Sequence, residues 1–229
     1  MEGRESAALR GLGRAPAPAR ISPAGRHAAR HGAASLLVMA RARLLGDGGG
    51  RNGKMERMVT LRCTRKLQKK LRASEVPEIG PLTTVLGDWY GDILFTRHAR
   101  LLVFVSEQSR LAVLLHARDF PTLEERFRAG VVALLRHLGV SEEAIRREEA
   151  AMAEIVYAPT RNRSLLGTLN DYFRALPLMI EDRPTVTLTQ YALRLSKTLC
   201  GPMNYERPRD VAMRLMSDWR MESFAPRVQ

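Results

Sequence analysis

Near Pro121 the chain changes rhythm. Before that point apolar residues alternate with polar ones or gather in runs of about five; after it they recur every three or four residues. Side chains along a strand switch faces at each residue, whereas those of a helix share a face every 3.6 residues. A chain that carries the first period and then the second is confined to a sheet backed by helices. The expectation is an α+β fold, an antiparallel meander of about four to five strands with the helices packed mainly on one face.

The elements follow from the local pattern. MVTLRC at 58–63 alternates and reads as a half-buried first strand, after which Thr64 caps a short basic helix ending near Leu71. In GDWYGDILFTR, Trp89, Gly91, Ile93 and Phe95 share one face of a second strand. Residues 101–105 and 111–115 are nearly continuous apolar runs around a polar turn at 106–110, the pattern of a buried β-hairpin. Beyond Pro121, Thr122 and Glu125 have capping-box spacing. Leu123, Phe127, Val131, Leu134, Leu135 and Leu138 make a helical stripe closed by Gly139. Ser141 caps a further helix, with Glu142 and Glu143 at its positive end. EIVYA at 154–158 fits either a fifth strand or a helix tail. Helices are expected at about 164–175, 188–198 and 208–219.

Charge is unevenly placed. The chain has a formal net charge of +13, and residues 1–57 hold eleven Lys and Arg against four Asp and Glu. That segment is rich in Arg, Ala, Gly and Pro and has no sustained apolar period, so it cannot bury enough surface to offset its ordering entropy. It is expected to be a disordered basic tail, or a start-site artefact with Met55 or Met58 as the true initiator, ahead of one domain at 58–222. A targeting role is disfavoured by Glu2 and Glu5. Gly48, Gly53 and Lys54 match a phosphate-loop spacing, but Met55 replaces the Ser or Thr and no strand leads in, so a glycine-rich linker is the better account. No run approaches the length needed to span a bilayer, and two cysteines, Cys63 and Cys200, make no disulfide framework; a reducing cytoplasm is the simplest setting.

One polar cluster invites a function. On a helical wheel from Ser164, Leu165, Leu166, Leu169, Tyr172, Phe173 and Leu176 fall between about 80° and 200°. Ser164, Gly167, Asn170, Asp171 and Arg174 occupy the opposite arc. Asn162, Arg163, Ser164, Asn170 and Asp171 are the candidate binding residues, and Gly167 suggests close approach of another backbone or a ligand. The plainer account is an N-cap, a turn and a solvated face. His98, His116 and His137 lack partners at metal-ligand spacing. Asp88 and Asp92 flank Trp89 as a possible acidic pair. Cys200 has no identifiable general base. The basic stretch Arg65–Arg72 lacks interleaved aromatics, which weakens a nucleic-acid reading. No catalytic, cofactor or metal motif occurs in the domain.

LRCTRKLQKKL, LGDWYGDILFTR, LLVFVSEQSRLAVLL, NRSLLGTLNDY and CGPMNY occur in this order between Leu61 and Tyr205. On these segments the chain resembles a bacterial family of uncharacterised proteins classed as a domain of unknown function. The resemblance implies an intracellular bacterial domain and carries over no catalytic residue. The expected function is a non-enzymatic binding or interaction module for an unknown ligand or protein partner, with its surface at the start of the 164–175 helix and no membrane contact. The alternatives are an enzyme using Asp171 or Cys200, and nucleic-acid binding through Arg65, Lys66, Lys69 and Lys70.

Overall fold

The two rhythms resolve into strands β1 (Met58–Cys63), β2 (Trp89–Phe95), β3 (Arg100–Ser106), β4 (Ala112–His116) and β5 (Glu154–Pro159). The helices are α1 (Arg65–Leu71), α2 (Leu123–Leu138), α3 (Glu142–Ala151), α4 (Arg163–Asp182), α5 (Leu188–Leu195) and α6 (Pro208–Glu222). They are taken from a computed structural model that describes residues 58–71, 84–97 and 99–222, without the side chains of 219–222. The tail at 1–57, with Gly48, Gly53 and Lys54, lies outside the described residues, as do Arg72 and His98.

The fold is α+β, around a sheet of order β4-β3-β2-β1-β5. Strands β2, β3 and β4 form the expected antiparallel meander, with Val103 opposite both Asp92 and Leu114. The expectation of a wholly antiparallel sheet is corrected at β1, which runs parallel to both neighbours and sets Leu61 opposite Trp89 and Tyr157. The sheet is mixed. Parallel neighbours need a crossover, and α1 lies between β1 and β2 in the chain. Alternation within a strand records which face is buried and nothing about the direction of the strand beside it. EIVYA is a strand at the sheet edge, closed by Pro159 opposite Cys63.

The expectation of helices mainly on one face is also corrected, since helices cover both faces of the sheet. On one, Trp89 and Phe104 meet the Phe127 ring of α2 edge-on, with centroids 5.3 and 5.2 Å apart. Gly91 is required there, since a Cβ would lie 2.4 Å from the Phe104 ring. On the other, Tyr90, Val103 and Val105 are fully buried, and α4 packs on β2 and β3. The continuous apolar runs at 101–105 and 111–115 are therefore strands buried on both sides.

Several helix ends differ in detail from the pattern. Ser141 caps α3 by accepting from Ala144 N–H at 3.4 Å, and Gly139 ends α2 at φ 81. Thr122 does not form the expected box with Glu125. It sits in a 3-10 turn with Pro121, and its hydroxyl donates to Asp119 O and accepts from Arg126 Nε. The cap of α4 is Asn162 rather than Ser164, and the helix continues through Pro177 because Leu176, Met179 and Ile180 still have core to cover.

Candidate functional site

The turn between β3 and β4 is tied by hydroxyls. Ser106 Oγ donates to Leu86 O at 2.7 Å and accepts from Ser109 N–H at 3.1 Å, while Ser109 Oγ lies 2.9 Å from it. The next residue, Arg110, is held at φ 59, a left-handed conformation unusual for a long side chain. Tyr172 of α4 fixes it there, its hydroxyl donating to Arg110 O at 2.9 Å. The Arg110 side chain then runs beneath the first turn of α4, and Nη2 reaches Ser164 Oγ at 3.4 Å.

Only 8% of Arg110 is exposed. Its Nε and Nη1 are buried and make no hydrogen bond within the described residues; neither do Tyr90 Oη and Glu107 Oε2. These groups sense one another. Burial lowers the Arg110 pKa, offset by Cys200, Glu107, Tyr172 and Tyr90. A guanidinium starts so high that it stays charged. Burial and then Glu107 raise the Tyr90 pKa, against the pull of Arg161 and Arg62. Arg161 approaches the phenol oxygen and favours the phenolate, outside the geometry of a full hydrogen bond. Burial also raises the Cys200 pKa, with Thr168 and Arg110 opposing and Asp171 adding to the rise. Three unsatisfied polar side chains, a thiol and the start of α4 therefore converge, and the cluster reaches solvent at the exposed Arg161 and Ser164. It can offer donors to an anion and an acceptor to a donor group.

The structure brings together only part of the sequence-derived set. Ser164 touches Arg110. Asn162 caps α4, its Oδ1 accepting from Ser164 N–H at 3.0 Å and Leu165 N–H at 3.3 Å. The Ser164 and Leu165 amides are thereby occupied, which leaves side chains as the main donors there. Arg163, Asn170 and Asp171 lie exposed on the outer face, and Asp171 pairs with Arg174 at 3.7 Å. No backbone crowds Gly167: a Cβ there would meet nothing within 4 Å. Asp88 and Asp92 are not an acidic pair. Asp88 is buried against Arg62 at 2.7 Å, while Asp92 accepts from Thr64 Oγ1 at 2.6 Å and Ile93 N–H at 2.7 Å. His116 ends β4 on the surface, and His137 Nδ1 lies 2.8 Å from Ala133 O. No group of three or more His, Cys, Asp or Glu within the described residues could hold a metal. A separate cavity of about 250 Å³, lined by Val140, Ser141, Met213 and Met216, lies between the α2–α3 turn and α6.

Arg110, Tyr90 and Glu107 were missed by sequence reasoning. A charged residue in a polar hairpin turn reads as solvated, and only the fold places it under α4.

Residues 60–211 match the model of a family described as a domain of unknown function, DUF6933. The chain belongs to that family. No curated protein matches it. The DUF6933 match takes in the whole cluster, from Tyr90 through Arg110 and Ser164 to Cys200, and no helix among the described residues is long and apolar enough to cross a membrane.

Proposed function

We propose that the domain is a cytoplasmic, non-enzymatic binding module that takes a small ligand, bearing a carboxylate or phosphate, at the start of α4. Arg110 is the anchor. A buried guanidinium with two unsatisfied nitrogens is costly unless an acceptor meets it, each lost bond amounting to about 1–3 kcal/mol. Its strained backbone and the Tyr172 grip hold it in place, as preorganised contacts require. Arg163, Asn170 and Asp171 lie on the outer face of α4, beyond Ser164, which stands beside the Asn162 cap at the edge of the site. The Cys200–Glu206 loop beside it holds Asn204 and Tyr205 at φ 53 and 62, and leaves Tyr205 71% exposed. Two buried free thiols suit a reducing compartment.

An enzymatic role is less well supported. A nucleophilic cysteine needs its pKa lowered, and Cys200 has its raised. Nucleic-acid binding keeps one supporting observation. Phe95, 50% exposed, lies 4.4 Å from Lys66 Nζ and 5.7 Å from the Arg100 guanidinium, an aromatic that the α1 sequence lacks. However, Lys66 is already bonded to Ile93 O at 2.8 Å.

The test is thermal melting of the full chain with a panel of small carboxylates, amino acids and phosphate esters, each against chloride at equal ionic strength. At tenfold excess over Kd a ligand adds about 1.4 kcal/mol, or roughly 3–6 °C in Tm. Arg110→Lys should remove the rise. A wild-type Tm indifferent to every compound overturns the reading, and retardation of DNA or RNA that weakens steeply with salt would favour the Phe95 surface instead.

A further inference from the structure

The unsatisfied atoms around Arg110 differ in kind. A guanidinium only donates and is completed only by an acceptor; an ionised carboxylate only accepts and is completed only by a donor; a phenol serves as either. Arg110 Nε and Nη1, Glu107 Oε2 and Tyr90 Oη are all buried and unpartnered within the described residues. Glu107 lies within electrostatic reach of both Arg110 and Tyr90. Arg110 and Glu107 nevertheless form no ion pair with each other, although Arg62 and Asp88 close theirs at 2.7 Å nearby. Two opposite charges of one turn, each with a buried atom left without a bond, are matched by something that meets both.

The sign of each group narrows the class further. Arg62 is matched by Asp88, while Arg110 and Arg161 together outnumber Glu107. A bare anion would answer that excess but would stand before the Glu107 carboxylate and leave its Oε2 without a donor. A molecule that also carries an ammonium supplies that donor. Resting on the reading of Arg110 as the anchor, we infer that the ligand is zwitterionic, of the α-amino acid class, its carboxylate on Arg110 and its ammonium on Glu107, with Tyr90 Oη completing the contact.

The experiment compares α-amino acids with the same carboxylates lacking the amine, alanine beside propionate being the simplest pair, by titration calorimetry on the full chain. At least one amino acid should bind at least tenfold more tightly than its deaminated partner. Glu107→Gln should bring such a pair to within about threefold, the amide being a neutral isostere, and Arg110→Lys should weaken both members. Deaminated carboxylates binding as tightly as their amino acids, lost in Arg110→Lys, would overturn the zwitterion and leave the Arg110 site standing. No binding by either class would overturn both. The wild-type comparison decides even if Glu107→Gln fails to fold.

Discussion

Arg62 and Arg110 are both buried arginines, at 3% and 8% exposure, and the molecule treats them oppositely. Arg62 stands on a central strand with its Nε 2.7 Å from Asp88, in a region whose charges are spent on the fold. Buried Glu148 is likewise spent, accepting from Val85 N–H at 2.8 Å and Leu86 N–H at 3.1 Å. Arg110 stands in a turn, its carbonyl held by Tyr172 while two of its nitrogens remain unused. Where both partners of a buried charge come from the chain, the charge contributes to stability. Where one is missing among the described residues, donors are left over, and we propose that a ligand takes them.

The sharpest way to break this comparison is to remove Arg62. Arg62→Met strands a buried Asp88 carboxylate, and the expected loss is about 3–5 kcal/mol by urea unfolding. A loss under about 1 kcal/mol would mean that the pair is not structural, and the contrast with Arg110 would vanish.

Cys63, in the same closed region, gives a smaller effect set by pH. Burial, with Asp92 adding, pushes its pKa up to about 12 from 9.0. Above pH 9 the unfolded chain releases this proton while the folded chain keeps it. Stability therefore falls as pH rises, the slope from this thiol approaching about 1.4 kcal/mol per pH unit. Cys63→Ala should flatten the decline of unfolding free energy between about pH 9 and pH 10; an unchanged slope would show that Cys63 is not so enclosed.

Smallest is the effect on the outer face of α4. Gly167 has open space around its missing Cβ, so Gly167→Ala should stabilise the chain by up to about 1 kcal/mol. Destabilisation would mean that the outer face makes a close contact after all, and would draw the ligand surface toward Asn170 and Asp171. Stabilisation with ligand binding intact sharpens the focus on Arg110.

What the sequence makes legible is whatever depends on a residue and its near neighbours. The hairpin at 100–116, the α2 stripe, the Ser141 cap and the polar face of α4 are all local patterns. The parallel pairing of β1 is not, since six alternating residues look alike whichever way their neighbours run. Asp88 reads as half of an acidic pair with Asp92 because its real partner, Arg62, is 26 residues away on β1. The candidate site suffers the same blindness. Ser164 and Cys200 could be singled out by type, but Arg110 meets Ser164 across 54 residues, and nothing in SEQSR distinguishes a solvated turn from a buried anchor.

The most direct test of the account is Arg110→Met, measured beside wild type for unfolding free energy and for ligand-dependent Tm on the full chain. The substitution removes a buried charge with unsatisfied nitrogens and spares the Tyr172 bond, which lies on the backbone. The account predicts stability within about 1 kcal/mol of wild type or above it, with the ligand-dependent rise in Tm abolished. A loss of several kcal/mol with the ligand response retained would show that Arg110 serves the fold, as Arg62 does, and would contradict the account.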